Sequence, residues 1–303
     1  MKLHKYKESF IELINIVSDY YKIDPSLVEK DYFVTLILSE LVNRVPNLLF
    51  KGGTSLSKCY KIIERFSEDI DLTLGENFHT PSQKKLLKNE LLNTFDSLEM
   101  TLLNGDNIRS RRDYNRYDVE YPIQYFNNTI KPILLVETTF ITKSYPSEIL
   151  LATSYIYDYL KEVNNEKIIE KYELFPFEIK VQRIDRTFID KVFAICDYAI
   201  SNRIERNSRH IYDLYMILKK INIDENLKTL VREVREDRKK NNLCYSAQDN
   251  MDIPKILMEI IEKDIYKKDY ESITKAMMFK YIPYSEVINV LRIIIESGLF
   301  ENI

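Results

Sequence analysis

The sequence has no tryptophan, only five glycines among 303 residues, three cysteines and three histidines. So few glycines and no tryptophan argue against a Gly-rich all-β fold. Cys59, Cys196 and Cys244 are far apart, odd in number and form no CxxC pair, so they read as reduced thiols of a cytosolic protein and not as a disulfide framework. Long apolar runs are also missing. Stretches such as Ile133 to Val136 fall far short of the ~20 residues that a membrane helix needs. MKLHKYKESF at the start lacks the apolar segment of a signal peptide. These features lead us to expect a cytoplasmic protein with no membrane contact. The formal charge of −3 does not advertise nucleic-acid binding over the whole surface, so any such surface must be local. What the chain has in quantity is Ile, Leu, Tyr and Phe, enough for a sizeable core, and a length that suits two domains.

One stretch organises the rest: Phe50 to Thr73, FKGGTSLSKCYKIIERFSEDIDLT. An apolar run ends in two glycines and a threonine, about three helical turns are expected next, and an alternating acidic and apolar segment closes it, which reads as strand, tight turn, helix, strand. Gly52 and Gly53 let the backbone turn sharply and approach a ligand. A helix opening near Thr54 would aim its unpaired N–H groups at an anion such as a triphosphate. Asp69 and Asp71 flank Ile70, and residues two apart in a strand share a face, so both carboxylates point one way and Ile70 points to the core. Paired carboxylates repel unless a cation lies between them, and hard oxygen ligands suit Mg²⁺. Glu137 is the single charge in the apolar run ILLVETTF; burying an unpaired carboxylate is costly, so it either binds metal or pairs, or keeps its head in water.

The glycine turn, helix and D-x-D strand together resemble the signature of the DNA polymerase β-like nucleotidyltransferases. KGGTSLSKCY with RFSEDIDL is similar to the AbiEii branch, the toxins of bacterial toxin–antitoxin and abortive-infection systems. The resemblance implies two Mg²⁺ (or Mn²⁺) ions on Asp69, Asp71 and a third carboxylate from a neighbouring strand, which Glu137 matches. It implies an NTP held at Gly52, Gly53, Thr54 and Ser55, an RNA acceptor such as the 3′ end of a tRNA, and a cognate antitoxin. Thr54 stands where many members have serine and keeps the hydroxyl. Further on, Asp190-Lys191 and the block RHIYDL match the family pattern, in which a lysine and an aspartate complete the site; residue by residue these are Lys191 and Asp213. Lys191 would then also contact NTP phosphate. On the residues alone, an ion pair of Lys191 with Asp190 or Asp213 is equally open. Glu29-Lys30-Asp31 also recurs in the family, and reads either as support for the site or as the polar face of a helix.

Along the chain, helices are expected at 5–21, from Pro25 behind an Asp24 N-cap, at 81–99, 146–162, 186–200 and 209–220, with strands at 118–125, 132–140 and 177–184. Residues 268–300 read as two closing helices. Two basic segments could hold RNA: Arg109 to Tyr117, where Arg109, Arg111, Arg112 and Arg116 alternate with tyrosines, and the run at 232–241; either could be a solvated face instead. The order of elements reads as α+β: a polymerase β-like mixed sheet flanked by helices over residues 1–180, then a helical bundle over 181–303 that contributes to the cleft. A metal-dependent nucleotidyltransferase follows. A small-molecule or protein acceptor, or a non-enzymatic nucleotide-binding module on the same fold, remains open.

Overall fold

The computed structural model describes residues 2–67, 69–75, 79–110, 112–126, 133–301 and 303. Arg111 and Pro132 lie outside these residues. The chain divides into two compact units: Met1–Lys61 with Ser67–Phe140 and Ser147–Val181, and Ile62–Phe66 with Ile141–Pro146 and Gln182–Ile303.

The first unit is built on a seven-stranded mixed sheet. Its strands are β1 (Leu48–Lys51), β2 (Asp69–Leu74), β3 (Thr101–Leu102), β4 (Tyr114–Glu120), β5 (Ile133–Thr139), β6 (Ser147–Ala152) and β7 (Phe177–Gln182), in the order β3-β4-β5-β2-β1-β7-β6. Strand β1 runs antiparallel to β2 and parallel to β7; β2 is parallel to β5, and β5 antiparallel to β4. Alternation sorts the side chains. Phe50, Ile70, Leu72, Leu134, Val136, Tyr117 and Val119 are buried on one face in a single apolar cluster with residues of helices α1 (Lys7–Tyr21), α2 (Pro25–Arg44) and α4 (Pro81–Ser97). Each such side chain, fully buried, contributes about 1.5–3 kcal/mol. Helices α2 and α4 begin where the sequence places them. Asp24 caps α2 by accepting from Ser26 N at 2.9 Å with Pro25 in the first turn, and Thr80 and Gln83 form a reciprocal box across Pro81 at the start of α4.

Several expected elements differ. The helix after the glycine turn, α3 (Gly52–Lys58), has seven residues, starts at Gly52 instead of Thr54, and ends well short of three turns. Strand β4 starts at Tyr114 and stops at Glu120, so the tyrosine-arginine segment is partly strand, while 121–126 is irregular. Residues 147–152 form edge strand β6, and helix α5 begins only at Tyr155 (Tyr155–Glu162), followed by α6 (Glu166–Tyr172). The repeated Leu and Tyr there fit a helical spacing, but the period-2 reading of SEILLA wins through pairing with β7. Glu29 and Lys30 are fully buried in α2 and are no solvated polar face. Glu29 accepts from Gln124 N at 2.7 Å and Tyr125 N at 3.2 Å, anchoring the segment after β4.

The second unit is helical: α7 (Ile184–Ile200), α8 (Arg209–Leu218), α9 (Glu225–Lys239), α10 (Ile253–Glu262) and a helix at Asn289–Glu296. Phe188, Val192, Phe193, Ile211, Leu214, Val231 and Leu257 are buried here. In place of two plain closing helices, 267–277 passes through a π turn at Tyr270–Thr274, and 277–279 then runs beside 64–66, with Phe66 N donating to Met277 O at 2.8 Å and Phe279 N to Glu64 O at 2.9 Å. Among the described residues no helix is long and apolar enough to cross a membrane.

Candidate active site

The sheet face opposite the apolar cluster carries one row of charges. Register sets Arg116 of β4 opposite Glu137 of β5, Glu137 opposite Asp71 of β2, and Asp71 opposite Lys51 of β1. Asp69 stands two residues from Asp71 on the same face. The three carboxylates expected from the sequence are therefore on one face of neighbouring strands, half-buried, with a cation at each end of the row. Neither Lys51 nor Arg116 was singled out for this from the sequence, because only the register reveals the row.

Gly52 takes φ +77°, and a Cβ built on it would lie 1.9 Å from Asp71 Oδ2. The Asp71 carboxylate thus occupies the space that a side chain at 52 would need, which gives the first glycine a second reason beyond its left-handed backbone. The neighbouring hydroxyls are turned inward. Thr54 Oγ1 donates to Asp69 O at 2.5 Å and lies 3.0 Å from Ser67 Oγ, and Ser55 Oγ donates to Gly52 O at 2.8 Å. Both side chains are buried. Thr54 ties the turn to β2 and Ser55 closes the turn on itself, so both hydroxyls are engaged inside the fold. Gly53 belongs to the first turn of α3.

Glu137 Oε1 accepts from the Tyr114 hydroxyl at 2.8 Å, and burial together with this carboxylate pushes the Tyr114 phenol up. All donors on the face are hard carboxylate oxygens, which fits a divalent cation in kind. Among the described residues no three carboxylate, imidazole or thiol groups converge closely enough, as they stand, to enclose an ion. As it stands, the Glu137 carboxylate is engaged by the Tyr114 phenol.

Lys191 and Asp213 are joined in the second unit. Asp213 is fully buried, accepts from Lys191 Nζ at 2.6 Å, and is gripped by Arg65 through Nε and one terminal nitrogen, each at 2.7 Å. Burial by itself would raise the Asp213 carboxyl, but Arg65 and Lys191 overcome it and hold it far below the usual range. Burial lowers Lys191, opposed by Asp213. His210, 3.4 Å from Lys191 Nζ, is pushed well down by burial and the neighbouring cations and is neutral at neutral pH. The sequence reading missed Arg65, although it lies in the RFSEDIDL block.

Another unforeseen group is Lys58, at the end of α3. It is buried and donates to Asp31 Oδ1 at 2.6 Å and Thr35 Oγ1 at 2.5 Å, while Asp31 Oδ2 also accepts from Tyr155 N at 2.9 Å. Asp31, the last residue of the Glu29-Lys30-Asp31 triplet, thus helps fix the helix that follows the glycine turn. The signal for it was KGGTSLSK itself, seven residues from Gly52 to Lys58.

Most cations of the basic run on α9 are spent on internal contacts, while Arg232 is exposed without an ion pair among the described residues. Arg235 is buried against the carbonyls of Ala247 and Gln248, Arg238 pairs with Asp190 and Asp197, Lys239 with Glu236 and Asp249, and Lys240 with Asp237. In the other segment, Arg109 donates to the carbonyls of Asp106 and Ile108, Arg112 to that of Asn107, and Arg116 pairs with Asp118.

A family model, the nucleotidyl transferase AbiEii toxin of type IV toxin–antitoxin systems, matches residues 37–289. Among solved structures, MenT4, a nucleotidyltransferase toxin from Mycobacterium tuberculosis, aligns with a TM-score of 0.47 at 15% identity, covering 92% of this chain and 98% of that one. No curated protein matches the sequence. The match spans the glycine turn, the acidic row and the Lys191–Asp213 pair alike, and the chain belongs to the AbiEii nucleotidyltransferase toxin family.

Proposed function

We propose that this nucleotidyltransferase moves a nucleoside monophosphate from an NTP to the 3′ end of an RNA, such as a tRNA, in the cytoplasm, as the toxin partner of a cognate antitoxin. The observation that carries the reading is the row of Asp71 and Glu137 beside Asp69 on one sheet face, with Asp71 packed directly over Gly52. In this reading Asp69, Asp71 and Glu137 hold Mg²⁺ or Mn²⁺, which when bound supplies Lewis-acid stabilisation of the transferring phosphoryl group. The protein's own part is positional. The Gly52-Gly53 backbone, pinned by the inward hydroxyls of Thr54 and Ser55, offers N–H groups to the phosphates without reorganisation. Tyr114 holds the Glu137 carboxylate until it is needed. The tight pairing of Lys191 and Asp213 with Arg65 supports a structural part for these two family-pattern residues over a direct phosphate contact.

The test is incubation of the pure protein with each labelled NTP, Mg²⁺ or Mn²⁺ and total RNA. Label should enter RNA from one or a few nucleotides, and Asp69→Asn and Asp71→Asn should each abolish transfer while the protein stays folded. Transfer that survives both substitutions would remove the two carboxylates from the mechanism, and label appearing only on a small molecule would remove RNA as acceptor.

A further inference from the structure

The two basic segments visible in the sequence are largely committed to carbonyls and carboxylates of the chain itself, yet the fold assembles a third that no local run announces. The loop 201–208 is clamped to the turn at 269–274: Asp269 accepts from Arg206 N at 2.8 Å and Ser208 N at 3.1 Å, and the Ser208 and Thr274 hydroxyls are 2.7 Å apart. Tyr270 OH then donates to Ile282 O at 2.9 Å, bringing in the segment after the turn. Residues 201–209 and 267–281, far apart in sequence, thus form one surface of the second unit. They carry seven Lys and Arg against three Asp and Glu, in a chain whose formal charge is −3, and one of the seven, Lys267, is paired with Asp264 at 3.1 Å. One of those three acids, Asp269, is buried in the clamp. Arg203, Lys268, Lys275 and Lys280 make no ion pair among the described residues: Arg203 lies over the Tyr198 ring at 5.4 Å and Lys275 over the Tyr281 ring at 4.9 Å. Phe279 and Tyr281 are exposed on either side of Lys280.

We infer that this surface binds single-stranded or frayed RNA, its cations on the phosphates and Phe279 and Tyr281 stacked on bases. Exposed aromatic rings interleaved with cations that have no carboxylate partner are what a strand with an anionic backbone and flat bases requires. An acidic protein face could use both the charge and the rings, and the experiment below separates it from RNA. The inference rests on RNA being the acceptor and says which part of the chain holds it.

The experiment measures binding of a labelled single-stranded RNA to the full chain by anisotropy across a salt series, without NTP or divalent metal. Replacing Arg203, Lys275 and Lys280 together with alanine should lower the slope of log affinity against log salt by about 2, since each lost phosphate contact removes about 0.7. Tyr281→Ala should weaken binding at least about fivefold, the lower end for loss of one stacked base. A triple variant with an unchanged slope overturns the inference. So does one that keeps RNA affinity but loses its antitoxin in a pull-down, which would make this a protein-binding face. Arg109→Ala with Arg112→Ala, and Lys239→Ala with Lys240→Ala, should leave the slope unchanged; a larger loss in either pair than in the triple variant also overturns it. Because binding is read without catalysis, wild type that binds RNA with the expected slope but transfers nothing to it would count against the proposed acceptor and not against this surface.

Discussion

Replacing Asp213 with asparagine should be far more damaging than replacing Lys191, although the two form one ion pair. The reason is Arg65. Asp213 is the shared anion of two buried cations, and Asp213→Asn keeps the shape while leaving both without a counter-charge. Removing one partner of a buried pair costs about 3–5 kcal/mol. Lys191→Met keeps the apolar stem among Phe188 and Val192, leaves Asp213 held by two bonds from Arg65, and also removes an ammonium that burial disfavours, so it should cost less than about 1 kcal/mol. At about 2–4 °C per kcal/mol, Asp213→Asn should lower Tm by roughly 6–20 °C and Lys191→Met by only a few degrees. The pH dependence has a definite sign. A carboxyl held below its unfolded value of about 3.9 contributes stability that is present above that pH and is lost as the pH falls below it, so wild type and Asp213→Asn should converge in strong acid. Urea titrations of the three proteins at several pH values read this directly. Equal losses for Lys191→Met and Asp213→Asn, or a harmless Asp213→Asn, would refute the shared-anion account. An NTP affinity that falls in Lys191→Met at unchanged stability would give the lysine its phosphate after all.

Gly52→Ala should abolish nucleotide transfer in a single-turnover assay and cost about 1–3 kcal/mol, because the methyl group meets Asp71 and the backbone is left-handed there; activity within tenfold of wild type would show that the Asp71 position is not critical. Burial raises the Glu29 carboxyl from its ordinary 4.5 to about 7. The folded chain therefore keeps that proton to higher pH than the unfolded chain, and stability should decline as pH rises from about 4.5 to about 7. Glu29→Gln should flatten that decline in Tm, and an unchanged slope would assign it to other groups. Tyr114→Phe should change the Mn²⁺ concentration needed to raise Tm in the presence of NTP, since the phenol competes for Glu137; an unmoved midpoint would mean that Glu137 takes no part in metal binding.

What was legible in the sequence was whatever local pattern decides. Alternation around Ile70 set the faces of β2, the Asp24 cap and its Pro25 started α2, and the glycine pair marked the turn. What was not legible depends on partners remote in the chain. Lys51 and Arg116 acquire meaning only from register, and Arg65 only from an aspartate 148 residues away. SEILLA became a strand because β7 was there to pair with it. The same limit hides basic surface: Arg235 and Arg238 read as a solvated or RNA-facing run, yet carbonyls and carboxylates from other elements surround them, while the cations of 203–209 and 267–280 are dispersed in sequence. The inward hydroxyls of Thr54 and Ser55 could not be foreseen because α3 starts two residues earlier than its sequence signals.

The way 62–66 belongs to the second unit has a bearing on synthesis at the ribosome. Arg65 leaves the exit tunnel 148 residues ahead of Asp213, a wait of about 7–30 s at about 5–20 residues per second. Met277 and Phe279, which bond the backbone on either side of Arg65, come later still. The nascent chain must carry this arginine in water until most of the second unit has been made. A chain stalled after Glu137 but before Asp213 would carry the whole carboxylate row while Arg65 still lacks its partners. Growth of the chain itself then sets the order in which an enzyme harmful to its host becomes whole.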